Sequence, residues 1–319
     1  LATADLLLDA RHPDEIKTSR ISHDLLRAND PGLAITAISW FGEHGPYRNY
    51  QTTDSVCRSL AGLVKLVGPV EGPPVLPRDG QIGVMGGLTA FIPSLAGLYG
   101  HAHGARRFAV NNLEAMLHIS EFDTGLALEA GFTRPRAGIN RFGRGYPSGA
   151  FQTKHGWLGV TVVTPAQWSG FCTMLDMPEL ANDPKYALMI NRFMHAEELK
   201  AIITPALQKH TALEWFEKGI ELRLPLAIVP DMEELLAQEV HRSRGAFGPV
   251  TIGEATFEGP VLPQHLTRSR PKANGRAPLL GADNKTALPA HTRKTTRAAT
   301  PQDALPLKGL RIIDPTMGW

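Results

Sequence analysis

Cysteine is nearly absent: Cys57 and Cys172 are the only two in 319 residues, far apart and each in apolar surroundings. That excludes a disulfide framework and predicts two buried thiols. Aromatics make up 7% of the chain and are sparse after residue 240, where Lys and Arg gather. A basic stretch without aromatic side chains to stack bases is a poor groove for nucleic acid, so no nucleic-acid partner is expected. Charge of one sign is missing too, since 33 Lys and Arg stand against 31 Asp and Glu. No uninterrupted run of 18 apolar residues occurs and no signal peptide is visible. The expectation is therefore no membrane partner and a cytoplasmic location. His101, His103, His155, His210, His241, His265 and His291 are dispersed, without a His-Glu-x-x-His or paired-cysteine spacing, so no metal is expected.

What is present is an ordinary globular composition, 43% hydrophobic and 20% charged with 31 Gly and 25 Pro, on a chain long enough to bury a real core. Residues 4 to 8 and 32 to 41 are short apolar runs bounded by breakers and flanked by helical patterns, as buried parallel strands are. The loop GEHGPYRNYQTTD follows the second run, where open α/β sheets carry their sites. Asp54 can cap the helix that follows, in which Val56, Leu60, Leu63 and Leu66 recur at helical spacing. A second helix is predicted from Leu88 to Tyr99, with Pro93 expected to kink it or to delay its start. Residues 111 to 129 are again helical in pattern, and 131 to 150 are a crossing segment.

FQTKHGWLGVTVVT predicts a hairpin turning near His155-Gly156, with Leu158, Val160 and Val162 facing inward. Helices are expected at about 165 to 175, 196 to 208 and 211 to 219, the last opened by a Thr211/Glu214 capping box. LPLAIV is a strand or an extended entry to a helix capped by Asp231, and 245 to 270 hold short strands. Residues 282 to 305 have a linker composition. Leu310, Ile312 and Ile313 look like a strand beginning, so both ends look cut from something longer.

Chemistry concentrates in a few places. FGEHGPY offers Glu43 and His44 as an acid/base group and an oxyanion contact. Glycines 83, 86 and 87, and 143, 145 and 149 beside Arg141 and Arg144, are candidate phosphate cradles, though neither follows the dinucleotide fingerprint.

ISWFGEHGPYRNYQTTDSVCRSLAGLVKLVGPVEGPPV resembles the family III coenzyme A transferases, which include formyl-CoA and carnitine-CoA transferases and the related 2-methylacyl-CoA racemases. The family writes SGFGQTGPY, a Tyr-Asp-Leu-like helix start, SGL, TG and GPP. Here these stand as Ser39 to Tyr47, Thr53-Asp54, Ala61-Gly62-Leu63, Val67-Gly68 and Gly72-Pro73-Pro74. SLAGLYG, QTKHGWLGV, PELANDPKY and RAPLLG continue the series.

The resemblance implies an α/β fold: a Rossmann-like large domain and a small α+β domain in an interlocked-ring topology. On that plan residues 1–115 belong to the large domain without its first segment, 116–150 are a crossing linker and 151–245 the small domain. Residues 246–281 return to the large domain, 282–305 are a polar linker and 306–319 begin a second family unit. The opening LATADLLLDARHPDE is similar to a family segment a third of the way in, and LPLKGLRIIDPTMGW to the family's first strand. A slice of a tandem two-unit fusion is thus expected. It also implies acyl-CoA and a carboxylic acid as substrates, no tightly bound cofactor, and a homodimer or intrachain pairing with a second unit.

In the family an aspartate attacks the acyl-CoA carbonyl and passes through a mixed anhydride to an aspartyl-CoA thioester. Matching Gly87-Leu88-Thr89-Ala90 and Leu95-Ala96-Gly97-Leu98 to the family's helix places that aspartate on Gly83; the racemase spacing places it on Ile82. Neither side chain can act. Asp79 is the nearest carboxylate, but about 13 Å of extended chain separates a four-residue offset. Asp79 and Glu43 are the candidate recruited carboxylates, and Glu43, His44, Gln51 and Gly83 the candidate CoA contacts. The family's Gln-Thr is Glu43-His44 here and its ENFRPG is DARHPD at 9–14, while FGRGYPSG at 142–149 corresponds loosely to its glycine-rich loop. Racemase chemistry needs proton-transfer groups on both faces of an α-carbon, and no such pair can be placed.

Overall fold

The computed structural model describes residues 4–100, 106–141, 145–263, 267–268, 279–282, 284–287, 305–307 and 309–315. His101, His103, Gly143, Arg144, His265, His291 and most of the linker at 282–305 lie outside the described residues. The chain divides into two compact units, residues 1–137 with 289–319, and residues 138–288.

The first unit starts with β1 (Leu6–Asp9), α1 (Pro13–Thr18), α2 (His23–Asn29) and β2 (Ala34–Ser39). It continues through α3 (Asp54–Leu60), α4 (Gln81–Tyr99), β3 (Arg107–Asn111), α5 (Asn112–Leu117) and α6 (Glu121–Ala130). The three strands are parallel in the order β1-β2-β3, with Leu6 opposite Ala34 and Ile35 opposite Arg107. Parallel neighbours need crossovers, and helices supply them. The central strand is buried at four successive positions, Ala34 to Ala37, which explains its continuous rather than alternating apolar pattern.

α4 begins at Gln81, not Leu88, and passes through Pro93 without ending. Glycines 83, 86 and 87 hide its start from a pattern search. Its buried side is small, Ile82, Gly86, Ala90, Ser94 and Gly97, which lets the helix lie close to the sheet. A Cβ on Gly97 would stand 3.1 Å from Phe108 and 3.2 Å from Ala34. Ser94 Oγ donates to the Ala90 carbonyl at 2.7 Å and pairs with Thr36 Oγ1 at 2.8 Å, pinning α4 to β2 beside the proline. A count of uninterrupted apolar residues also misses what α4 is. By length and composition alone α4 is long and apolar enough to cross a membrane, a test that the core helices of soluble proteins also pass.

β3 lies just ahead of the stretch 111 to 129 that reads as helix, in residues whose sequence pattern predicts no element. Asn111 both ends the strand and caps α5, its Oδ1 accepting from the Leu113 and Glu114 amides. The strand expected at Leu310, Ile312 and Ile313 is not formed: the described residues 309–315 carry no regular element, and these three side chains are exposed. β propensity alone does not make a strand without a partner to share its backbone groups.

The second unit carries β4 (Ser148–Gln152), β5 (Trp157–Thr161), α7 (Pro165–Met174), α8 (Pro178–Asn182), α9 (Met189–Met194), α10 (Ala196–Leu207) and α11 (Ala212–Glu221). β6 (Leu226–Val229), α12 (Met232–Ala237), α13 (Glu239–Arg242), β7 (Phe247–Ile252), β8 (Ala255–Pro260) and α14 (Asn284–Ala287) follow. β4, β5 and β6 form an antiparallel sheet, and β7 with β8 a separate hairpin. Leu158, Val160 and Val162 do face inward, against Trp168, Phe171, Leu199, Ile203 and Trp215. The capping boxes at Thr211/Glu214 and Asp231/Glu234 both form. Buried Arg192 is satisfied by the carbonyls of Tyr146, Tyr186 and Ala187 and lies over the Trp168 ring.

Both cysteines are buried and free. Burial pushes the Cys57 thiol up to about 11 and the Cys172 thiol to about 12, so each stays protonated and inert. Among the described residues no group of His, Cys, Asp and Glu is clustered for a metal ion.

Candidate active site

A cleft of about 340 Å³ opens at the carboxyl ends of β1 and β2, lined by residues that include Arg11, His12, Trp40, Arg48, Gln51 and Asn112. This is the end of a parallel sheet where chain turns leave room for a ligand. Two of its walls reach α4. Trp40 packs against the buried cluster that contains Ile82, and the Asn112 carboxamide occupies the notch left by Gly86, where no Cβ could stand.

One wall is locked by a chain of charges. Asp9, buried at the end of β1, accepts from Arg11 Nε at 2.9 Å and Arg11 Nη2 at 2.6 Å. Its Oδ2 also meets His23 Nε2 at 2.9 Å. Arg107 Nε donates to His23 Nδ1 at 2.9 Å, which leaves the imidazole proton on Nε2, facing Asp9. The rest of the Arg107 guanidinium forks both carboxylate oxygens of Glu43. The hydrogen-bonded Arg11 guanidinium holds the Asp9 carboxyl far below the usual carboxylate range, and Arg107 does the same to Glu43 to a lesser degree.

A second cluster lies where α3 meets the start of α4. Asp54 is not the cap of its own helix, whose N-cap is Thr53. Its carboxylate crosses to α4 instead, Oδ2 accepting from the Ile82 amide at 3.0 Å. The α4 N-cap, Gly80, at φ 98°, has no side chain to do this, so an orphan amide at a positively polarised helix end is served from α3. Arg58, 1% exposed, places Nε 2.6 Å from Asp54 Oδ1 and Nη2 2.7 Å from Asp79 Oδ1. It also donates to the carbonyls of Pro77 and Arg78. Ser55 Oγ donates to Asp79 Oδ1 at 3.1 Å. One buried guanidinium thus gathers α3, the loop at 77–79 and the foot of α4.

The sequence-chosen residues fall into these surroundings unequally. Gly83 is the third residue of α4, exposed, with nothing within 4 Å of the place a Cβ would occupy. Asp79, just ahead of the Gly80 cap, points its carboxylate to Arg58 although its side chain is 76% exposed. Glu43 is turned to Arg107 and does not line the cleft; His44 is exposed and does not line it either. Gln51 lines it between Tyr50 and Thr52. Of the second glycine cluster, Gly145 and Gly149 lie in the other unit, where Arg141 pairs with Glu197. Sequence reasoning missed Asp9, His23, Arg58 and Arg107. Arg58 had a signal, since it stands one helical turn after Asp54 at ion-pair spacing. His23 and Arg107 had none, because only the sheet brings them together.

A family model described as CoA-transferase family III matches residues 1–284. An acyl-CoA transferase of Fusarium pseudograminearum is 27% identical over 242 residues, 73% of this chain and 52% of that protein. A probable CoA-transferase of Mycobacterium tuberculosis is 26% identical over 326 residues, 98% of this chain but 40% of that protein. The chain therefore spans about half or less of the length of these two relatives. In fold it is similar to the crystal structure of a CAIB/BAIF family protein from Brucella suis, with a TM-score of 0.75 at 18% identity over 89% of this chain and 74% of that one. With the α/β architecture and a family match across residues 1–284, the chain belongs to CoA-transferase family III.

Proposed function

We propose that this chain is one unit of a CoA-transferase that moves coenzyme A between an acyl-CoA and a carboxylic acid, and that the reacting aspartate belongs to another unit. The observation that carries this reading is Gly83, on the exposed first turn of α4, where the motif spacing of the resemblance puts the family's aspartate. The reaction needs a carboxylate to attack the acyl-CoA carbonyl and expel the CoA thiolate. The thiolate then attacks the mixed anhydride at the aspartyl carbonyl and releases the acyl acid. The acceptor carboxylate repeats the sequence in reverse. Glycine offers no oxygen for the first step. What this unit supplies is the place: the cleft beside β1 and β2 for CoA, with Gln51 on its wall, and the helix end that holds an anion.

The longer relative supports a fused arrangement, because an alignment over 98% of this chain accounts for only 40% of it. In this reading a second unit follows, opening with the segment similar to the family's first strand, and two units pair as interlocked rings within one polypeptide or between two.

A recruited carboxylate is the second reading. Against it, Asp79 is engaged by Arg58 and Ser55, and Glu43 by both arms of Arg107, so attack by either would have to break an ion pair first. Incubation with acyl-CoA and hydroxylamine, followed by peptide mass analysis, separates the readings. No modified carboxylate on this unit is expected, and a hydroxamate on Asp79 or Glu43 would overturn the first. Calorimetry with free CoA tests the cleft: absence of binding by the intact protein would reduce this unit to a scaffold.

A further inference from the structure

Asn112 opens α5 and lines the cleft, yet its Oδ1 is buried without a hydrogen-bond partner among the described residues. It is not needed as a cap, because Asn111 already accepts from the amides of Leu113 and Glu114. Its neighbour Leu113 packs on the apolar cluster around Ile82 and Met116, so an apolar side chain would suit these surroundings. A buried acceptor left unpaired costs stability, and folded chains keep few of them. Exchanging the two ends of the amide would bury a donor instead, so the mismatch survives either assignment.

Gly86 makes that position possible. It is buried in α4 and has no positive φ that would call for glycine. Glycine inside a helix is less favourable than alanine. The nearest atoms that a Cβ on Gly86 would meet all belong to the Asn112 carboxamide: Oδ1 would overlap it, whereas Nδ2 would stand 3.6 Å away. The oxygen is therefore turned into the helix, and the NH2 group away from it, to the cleft. Two residue choices, each unfavourable for the fold alone, converge on one contact. Local conflicts of this kind are kept where a site needs them.

We propose that Asn112 is a substrate-binding residue of the cleft, held on its wall by the notch of Gly86, and that it hydrogen-bonds the amide-bearing arm of the acyl-CoA. A carboxamide offers a donor and an acceptor and no charge, which matches a secondary amide. The cations of the same wall, Arg11 and Arg48, suit phosphates instead. Gly86 follows Gly83 along α4 by about 4.5 Å of helix rise. That sets Asn112 toward the reacting end of the ligand rather than its nucleotide. The choice of ligand rests on the reading above; the pairing of Asn112 with Gly86 does not.

Isothermal titration of the 319-residue chain with CoA, and with phosphoadenosine phosphate as its nucleotide half alone, tests this on Gly86→Ala, Asn112→Ala and the double variant. The new Cβ at position 86 displaces only the end of a flexible side chain, so that variant keeps its fold, checked by circular dichroism. Each single variant should weaken CoA binding at least about tenfold. The double variant should bind no more weakly than the singles, because both remove the same contact. The nucleotide half should bind all of them as it binds the wild type. Neither single variant should lower the denaturant midpoint, since one gains helix propensity and the other loses an unpaired buried atom. A wild type that binds CoA but is indifferent to both substitutions overturns the proposal and leaves the reading of the cleft standing. So do losses that add in the double variant, an equal loss for the nucleotide half, or a midpoint that falls in Asn112→Ala. A wild type that binds neither ligand overturns the reading of the cleft and this assignment with it.

Discussion

In the second unit Trp168, Phe171, Leu199, Ile203 and Trp215 are buried together in one continuous core, and the Trp215 indole donates to the Leu207 carbonyl at 2.8 Å. In the first unit the buried cluster beside the site is only Cys57, Ala61, Ile82 and Met116, while α4 leaves six large apolar side chains exposed. The second unit is held by burial. The first is held near its site by arginines that join separate elements, Arg58 at the foot of α4 and Arg107 across the sheet. Charge networks can hold loops in place without filling a core, but each depends on every partner being present.

The largest effect expected on this contrast is from Trp215→Ala. It removes a fully buried ring and its hydrogen bond and should destabilise the second unit by about 3–5 kcal/mol, read as a fall in denaturant midpoint. An unfolding curve unchanged by it would mean that this core is not the main source of stability. Next is Arg58→Ala. It strands Asp54 against α4 and frees the 77–79 loop, and with Asp79 largely in solvent a loss of about 2–3 kcal/mol is expected. Urea unfolding followed on the first unit checks this; a loss below about 0.5 kcal/mol would place the cluster among surface ion pairs of little weight.

The third prediction concerns acid. Asp9 and Glu43 have folded pKa values below their ordinary ones because guanidiniums face them, so the unfolded chain binds more protons as pH falls. The stability they add is present above about pH 4–5 and is lost progressively below that range as the folded carboxylates take up protons. Asp9→Asn should flatten this acid limb when denaturant midpoints are compared from about pH 3 to 7, and an unaltered slope would remove Asp9 from it. The smallest change in stability, under about 0.5 kcal/mol, belongs to Gly83→Asp, since its side chain enters open space. Its consequence should be functional: an aspartyl hydroxamate formed at position 83 when acyl-CoA and hydroxylamine are supplied, absent from the wild type. Failure to form one in a folded variant able to bind CoA would show that the foot of α4 lacks more than its carboxylate.

Local features were legible beforehand. The hairpin turning at His155-Gly156, the box at Thr211, the cap at Asp231 and the buried run of β2 depend on neighbours in sequence, and each formed. Where a residue's partner is distant, sequence reasoning failed. Asp54 was expected to cap the helix it begins, yet it serves the next one. α4 was started too late because glycine carries no apolar signal. Leu310, Ile312 and Ile313 have strand-like composition, but the described residues give them no strand to pair with.

Residue identity alone determined the family and the absence of a carboxylate at position 83, since both follow from ordered motifs and a count along the chain. Tertiary structure decided which charges are free to react. Arg58 takes hold of Asp79, Arg107 takes hold of Glu43, and Asp54 takes the helix amide, because parallel strands and crossing helices bring together groups that lie tens of residues apart. The energy of a charge depends on what faces it across a few ångströms, which the order of residues does not reveal.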